Sequence, residues 1–207
     1  MAPPGAEGTK AESIRGLAGI ILNMDKPMSS GGVILPYKGV LPRIADDAFI
    51  APTAVVIGDV EIGPEAGVWF GCILRGDQNY IRVGARTNIQ DGTIVHVDSR
   101  EFWTTIGDDI TIGHNAVIHA CTLENGCFIG MSATVMDGAV VESGAMVAAG
   151  ALVTPGKRVP AGELWAGTPA RRMRDVTAAE AANFPEVIDE YVMLARNYRQ
   201  AAQGKRS

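Results

Sequence analysis

An aliphatic residue recurs every six positions through the middle of this chain, and no other feature of the sequence constrains the fold as strongly. With a few slips in spacing, the series has eighteen members: Ile44, Ile50, Val56, Ile62, Val68, Leu74, Val83, Ile89, Val95, Ile106, Ile112, Ile118, Leu123, Ile129, Val135, Val141, Val147 and Val153. The residue four positions later is usually small, as at Ala66 and Ala133. A six-residue period fits neither an α-helix nor an alternating strand. It is the signature of a β-helix, in which each hexapeptide forms one side of a three-sided coil.

The repeat predicts an all-β solenoid over residues 34–170, with the aliphatic side chains directed inward. Eighteen hexapeptides at three per coil give about six coils. At ~4.8 Å per coil, the solenoid would be roughly 29 Å tall. The 25 glycines suit the many tight turns of such a fold.

The two ends of the chain lack the repeat. Residues 1–33 are rich in Gly, Pro and Ser, and we predict a flexible N-terminal extension there. Residues 171–207 are predicted to be a helical segment, because Thr177 and Glu180 have the spacing of a capping box and later apolar residues have helical spacing. We expect Pro185 to break or kink this segment, and the amphipathic helix after it to lie along a face of the solenoid.

Charge and cysteine content limit the partners and the compartment. The net charge is −5 and the pI is near 5.2, which argues against nucleic acid or an anionic membrane as a partner. No apolar run approaches the ~20 residues that span a bilayer, and no signal peptide is expected. Three cysteines are an odd and sparse set, which indicates the reducing cytoplasm rather than a disulfide framework.

All three histidines of the chain fall within one short region of the repeat. His96 follows Val95 and His119 follows Ile118, so each is the second residue of its hexapeptide. Three hexapeptides, or one coil, separate them. We therefore expect the two side chains on the same face in adjacent coils, ~4.8 Å apart at the backbone, where they could share one metal ion with ~2.0–2.1 Å bonds.

The third histidine, His114, does not belong to this row. It is the third residue of its hexapeptide and should point over a neighbouring edge of the solenoid. Because a catalytic zinc site normally has three protein ligands, we predict a symmetric homotrimer in which His114 of one subunit completes the site of the next. The alternative is that the histidines are ordinary surface residues, which their shared register disfavours.

The same counting places further side chains near this interface. Arg75 follows Leu74 and belongs to the vertical row of His96, while Asp91 lies one coil before His114. A charge-assisted pair between Arg75 and Asp91 of a neighbour is one possibility, and a purely structural role in the trimer is the other. Cys72 and Cys127 occupy the small-residue position and are predicted to be core. Cys121 lies near His119, and a ligand role for it is a weaker alternative.

Two segments, RGDQNYIRVGARTNIQDGTIVHV and IGHNAVIHACTLENGCFIGM, resemble the γ-class carbonic anhydrase family. The similarity runs from about Ile34 to Tyr198. It implies a left-handed parallel β-helix with a C-terminal helix, assembled as a homotrimer with metal sites between subunits. It further implies reversible hydration of CO2 to bicarbonate by hydroxide formed at the metal.

The resemblance also implies which residues form the site. His96, His114 and His119 would bind Zn²⁺, although imidazole ligands suit Fe²⁺ and Co²⁺ as well. The catalytic pocket would contain Arg75, Asp77, Gln90, Asp91 and Tyr191. Gln90 would orient the water at the metal, Arg75 and Asp91 would pair between subunits, and Tyr191 would lie over the metal.

The sequence departs from the family at its proton-transfer residues. Gln78 follows the R-G-D aspartate where the best-characterised archaeal member has an acid. The segment VDSREFWTT is short, and neither Asp98 nor Glu101 matches the family's proton-shuttling glutamate. Proton transfer can therefore limit the rate, and weak activity is one expected outcome.

Two other functions remain open at this stage. Hexapeptide acyltransferases share the solenoid, and WAGTPAR resembles the end of their repeat domains. They use one histidine as a general base, which does not account for three histidines in register. A non-enzymatic metal-binding trimer or assembly subunit is the second alternative.

Overall fold

The structure, a computed structural model, describes residues 31–99 and 101–202. The extension predicted for residues 1–33 lies outside the described residues except at its last three positions. Of the segment predicted as helical, residues 203–207 also lie outside them. Within the described chain, parallel strands stack into a solenoid of about seven turns, followed by one helix.

Each turn of the solenoid contributes one strand segment to each of three faces. Face one contains β1 (Val33–Leu35), the first half of β4 (Val55–Ile62), the first half of β6 (Ile73–Val83), β8 (Ile94–His96), β11 (Val117–His119), β14 (Thr134–Val135) and β17 (Leu152–Val153). Face two contains β2 (Arg43–Ile44), the second halves of β4 and β6, β9 (Thr104–Ile106), β12 (Thr122–Leu123), β15 (Val140–Val141) and β18 (Arg158–Val159). Face three contains β3 (Phe49–Ile50), β5 (Gly67–Val68), β7 (Asn88–Ile89), β10 (Thr111–Ile112), β13 (Phe128–Ile129), β16 (Met146–Val147) and β19 (Glu163–Gly167).

The repeating aliphatic residues form the core, as predicted. Leu74 pairs with Val95, and Val95 pairs with Ile118, so each of them stacks on its counterpart in the next turn. All three are fully buried. The predicted parallel β-helix with a C-terminal helix is confirmed, and Cys72, Cys121 and Cys127 are all buried within it as free thiols.

The solenoid is about one turn longer than the six coils predicted. Ile34 pairs with Val56 at the start, while Val159 and Trp165 extend faces two and three at the end. A bridge between Tyr37 and Val40 breaks the six-residue spacing after Ile34. At the other end the predicted series stopped at Val153, although Val159 continues its spacing, and Trp165 is an aromatic residue in an aliphatic position.

The end of the solenoid is closed by a strand and a helix. Strand β20 (Ala170–Asp175) runs antiparallel to β19, an element the sequence did not predict. The helix α1 (Ala178–Ala202) begins at the predicted capping box, in which Glu180 N–H donates to Thr177 Oγ1 at 3.2 Å and Thr177 N–H donates to Glu180 Oε2 at 2.9 Å. No helix in the described part of the chain is long and apolar enough to cross a membrane.

We expected a break or a kink at Pro185; helix α1 continues through this residue, so a break is wrong. Proline removes one backbone donor from the helix, but Phe184, Ile188 and Val192 are buried along one side of it. Packing of this apolar side against the solenoid outweighs the missing hydrogen bond. The predicted placement of an amphipathic helix along a solenoid face is confirmed by contacts of α1 with strands β3, β5, β7 and β10.

Candidate metal centre

His96 and His119 lie side by side on face one, in adjacent turns. Strands β8 and β11 pair in parallel with His96 opposite His119, as the repeat predicts. Each side chain follows a fully buried aliphatic residue and therefore points outward. Nδ1 of His96 is 3.2 Å from Nε2 of His119, so one nitrogen of each ring faces the other.

The outer nitrogen of each ring meets a carboxylate. Nε2 of His96 is 3.1 Å from Oδ1 of Asp77, and Nδ1 of His119 is 2.5 Å from Oδ1 of Asp137. Asp77 is itself held by Arg75, whose Nη1 donates to Oδ2 at 2.6 Å. These five residues, the histidine-pair cluster, form a continuous row of polar contacts up face one.

Burial and charge favour the neutral, metal-binding form of His96. Burial disfavours the imidazolium and lowers the pKa of His96, and the nearby Arg75 charge acts in the same direction. Burial also opposes ionisation of Asp77, but the hydrogen bonds from Arg75 and His96 outweigh it and hold the pKa of Asp77 below its usual value. Asp77 is therefore an ionised acceptor that fixes the proton of His96 on Nε2 at neutral pH.

His114 belongs to a second group on another edge of the solenoid. Its Nδ1 is 2.9 Å from Oδ2 of Asp91, which lies one turn before it as predicted. Asp91 also accepts a hydrogen bond from the Phe70 N–H at 3.2 Å. We call His114, Asp91 and the neighbouring Gln90 and Tyr191 the His114 cluster.

Gln90 and Tyr191 are each held in place by a residue outside this cluster. Gln90 is buried and its Nε2 donates to Asn88 Oδ1 at 3.1 Å. Tyr191, on helix α1, packs edge-on against Trp69 with ring centroids 5.1 Å apart. Burial raises the pKa of Tyr191, and the charges of Asp91 and Glu190 raise it further, so its hydroxyl stays protonated at neutral pH.

The two clusters do not meet within one chain. Among residues 31–99 and 101–202, no three His, Cys, Asp or Glu side chains are grouped so that they could hold a metal ion. Arg75, which the sequence suggested might reach a neighbour's Asp91, pairs with Asp77 in its own chain. A single subunit therefore presents a pair of histidines on one face and a single histidine on another edge.

Asp137 was missed by the sequence reasoning. It is the third residue of the hexapeptide that begins at Val135, one turn after the hexapeptide of His119. Counting hexapeptides would have placed it near Ala120 rather than His119. A search for carboxylates in the turn next to each histidine could have found it, since second-sphere carboxylates commonly accompany metal-binding histidines.

The residues that depart from the family lie close to this site. Gln78 is exposed directly after Asp77. The short segment after His96 folds back on itself, with Asp98 N–H donating to the Phe102 carbonyl at 3.0 Å and Glu101 N–H donating to Asp98 Oδ2 at 3.2 Å. It ends in exposed Phe102 and Trp103.

Comparison with known proteins gives the family. A search against protein-family models found no match. The chain is 50% identical over 160 residues to gamma carbonic anhydrase 2, mitochondrial, of Arabidopsis thaliana. The match covers 75% of this chain and 58% of that protein's length. It is 48% identical over 152 residues to a probable carbonic anhydrase of Methanocaldococcus jannaschii, covering 73% of this chain and 95% of the relative.

A solved structure agrees in fold. The crystal structure of a hexapeptide transferase family protein from Anaplasma phagocytophilum is 49% identical in sequence and superimposes with a TM-score of 0.77, covering 80% of this chain and 98% of the other. The histidine pair, its register on the solenoid and the near full-length match to an archaeal relative agree with one another. The chain belongs to the γ-class carbonic anhydrase family.

Proposed function

We propose that this protein catalyses metal-dependent, reversible hydration of CO2 to bicarbonate, at sites formed between the subunits of a homotrimer. The observation that carries the proposal is the 3.2 Å separation of the facing nitrogens of His96 and His119. Two nitrogens bound to one tetrahedral zinc ion at ~2.0–2.1 Å lie about 3.3 Å apart. The histidine pair on face one thus has the spacing that two ligands of one zinc ion would have.

The protonation pattern of the pair also fits a metal. Asp77 faces His96 Nε2 and Asp137 faces His119 Nδ1, so each carboxylate is placed to accept a ring proton at that nitrogen. The lone pairs of the remaining two nitrogens then face the same gap, where they repel each other unless a cation lies between them. His96 and His119 would therefore hold the metal, and His114 of the adjacent subunit would be the third ligand.

An apolar strip beside the pair supports the trimer. Ile73 and Val117 lie on face one, each just before a core residue, and both are 37% exposed. β-Branched side chains in a row along a solenoid face suit contact with another protein surface better than contact with water. Burial of this face would bring His114 of a second subunit toward the histidine pair.

The chemistry divides between the metal and the side chains. The metal would supply a Lewis acid that makes water nucleophilic at neutral pH. Arg75 holds Asp77, and Asp77 and Asp91 fix the orientation of His96 and His114. Gln90 presents a fixed amide, and the hydroxyl of Tyr191 keeps its proton, so both would orient reactants as hydrogen-bonding groups rather than act as bases.

We propose Zn²⁺ as the metal, with Fe²⁺ and Co²⁺ as ions that the same imidazole ligands accommodate. We further propose a cytoplasmic location, because Cys72, Cys121 and Cys127 are buried thiols without disulfide partners. The Arabidopsis thaliana relatives are described as mitochondrial.

Acyl transfer is the second candidate, because a solved structure of similar fold is described as a hexapeptide transferase. A general base needs one imidazole, whereas this chain aligns two and supports each with a carboxylate. Turnover of acetyl-CoA with an acceptor, unaffected by removal of metal, would favour transfer over hydration.

The first test is stopped-flow CO2 hydration by protein of known metal content. We expect metal-loaded protein to accelerate hydration well above the buffer rate, and His119→Ala to abolish the acceleration. A background rate with metal bound would leave a non-enzymatic metal-binding trimer. The control variant is Glu186→Gln, an exposed position on helix α1.

Subunit mixing tests whether the site is shared. His114→Ala and His119→Ala should each be inactive alone. In randomly mixed trimers, about one interface in four combines an intact histidine pair with an intact His114, so part of the activity should return. If each site lay within one chain, mixing would restore nothing.

A further inference from the structure

We infer that Asp137 is a positioning residue of the metal centre, and that it fixes His119 in the one tautomer that leaves Nε2 for the metal. The inference rests on the proposed function only for the identity of what binds between the histidines. The contact itself, Nδ1 of His119 to Oδ1 of Asp137 at 2.5 Å, is the shortest polar contact described for the three histidines.

The tautomer follows from what each partner can donate. An ionised carboxylate only accepts hydrogen bonds, so the proton shared with Asp137 must belong to Nδ1 of His119. A neutral imidazole carries one proton, so Nε2 is left with a lone pair, and this atom faces Nδ1 of His96. Without Asp137, the proton of His119 could move to Nε2 and point at His96, where it would exclude a cation.

Backbone contacts with neighbouring turns hold Asp137 in place. Its carbonyl accepts the Gly156 N–H at 2.8 Å from the following turn. The next residue, Gly138, donates its N–H to the Ala120 carbonyl at 2.8 Å in the preceding turn. These hydrogen bonds fix the backbone of Asp137 at a corner of the solenoid. The point from which its carboxylate reaches His119 is therefore fixed as well.

Phe102 covers that corner. A β-carbon on Gly138 would lie 3.1 Å from the Phe102 ring, and Gly138 has a φ of +66°, which favours glycine. The short segment after His96 therefore packs over the turn that carries Asp137. The side chains of His119 and Asp137 are each about one third exposed, so Phe102 supports the turn and leaves the hydrogen bond partly open to solvent.

Asp137 completes a pattern of one carboxylate for each histidine. Asp77 contacts His96 and Asp91 contacts His114, and both acids lie in the R-G-D and N-I-Q-D motifs. Asp137 lies in neither motif. Loss of such an outer-sphere partner typically lowers metal affinity by about 10–100-fold.

The test compares Asp137→Ala and Asp137→Asn with a matched control in the full chain. The control is Asp108→Asn, because Asp108 also links two turns, accepting the Ala85 N–H at 2.7 Å. Zinc affinity is measured by competition with a chromogenic chelator. We expect a loss of about 10–100-fold for Asp137→Ala, a smaller loss for Asp137→Asn, whose amide oxygen can still accept, and no change for Asp108→Asn.

A second readout does not depend on metal. The chain has only three histidines, so ¹⁵N spectra of the imidazole rings contain three sets of signals. Wild-type protein should show His119 protonated on Nδ1, and Asp137→Ala should shift that proton toward Nε2 while melting like the wild type. If Asp137→Ala does not fold, Asp137→Asn provides the same comparison.

The outcomes separate this inference from the proposed function. Equal zinc affinity and an unchanged His119 tautomer in both Asp137 variants would overturn the positioning role, whatever the enzyme does. A different result is that the wild type binds no zinc, while Asp137→Ala still moves the His119 proton away from Nδ1. That result would overturn the proposed metal chemistry and retain the positioning role.

Discussion

The carbonyl oxygen of Asp59 lies 2.6 Å from the point that a β-carbon on Gly76 would occupy. Strands β4 and β6 approach this closely beside a shift in their register between Gly58 and Val60. Gly76 separates Arg75 from Asp77, so the close approach of the two strands sets the direction of both side chains. The glycine of the R-G-D motif is required by this contact with a neighbouring backbone.

Gly76→Ala should therefore harm both stability and metal binding. The blocking atom is backbone, which cannot rotate away, so we expect destabilisation of about 1–3 kcal/mol and weaker zinc binding through displaced Asp77. Chemical unfolding and chelator competition measure the two effects. Gly31→Ala is the control, because its β-carbon would meet nothing within 4 Å; similar behaviour of the two variants would contradict the prediction.

The apolar strip on face one gives a test of the trimer. Val117→Lys places a charge at the proposed interface, and an unpaired buried charge costs several kcal/mol. We expect folded subunits that no longer form trimers and bind zinc poorly, as measured by analytical ultracentrifugation and metal content. The matched control is Thr122→Lys, at the equivalent outward position on face two. If Val117→Lys still forms intact trimers, face one is not part of the interface.

The register of the site could be predicted from the sequence, because a β-helix converts spacing into position. Val95 and Ile118 are one coil apart, so the residues that follow them had to lie side by side, and the structure has His96 opposite His119. The stacking of Asp91 beneath His114 follows from the same rule. Packing of a repeated hexapeptide leaves little freedom in either case.

Contacts that cross the register could not be predicted in this way. Asp137 reaches His119 because its side chain leans across one residue position, and spacing does not report side-chain direction. Helix α1 passes through Pro185 because its packing on the solenoid outweighs a local preference. The last turn was counted only in part: the series ended at Val153 although Val159 continues its six-residue spacing, and Trp165 is aromatic where the other turns have aliphatic residues.

Proton transfer should limit the rate at low buffer concentration. Gln78 is exposed beside Asp77, where an acid could exchange protons with water. We expect the turnover rate to rise with the concentration of an imidazole buffer, and Gln78→Glu to raise it by ~10-fold or more when buffer is scarce. Gln200→Glu, on the exposed side of α1, controls for added charge. If the turnover rate of the wild type does not depend on buffer concentration, proton transfer to buffer does not limit the rate.

The capping box of helix α1 should make stability depend on acid pH in a definite direction. The hydrogen bond from Arg174, followed by those from the Thr177 N–H and hydroxyl, lowers the pKa of Glu180 from 4.5 to about 2. A pKa that folding depresses adds stability above the unfolded value, and this stability is lost as the pH falls through the folded value. Glu180→Gln should therefore melt below the wild type at pH 6, and the gap should close as the pH is lowered from 4.5 toward 2. Glu186→Gln, on the same helix, should show no such convergence. A melting difference for Glu180→Gln that stays constant across this range would mean that the carboxylate is not held by Arg174 and Thr177 in solution.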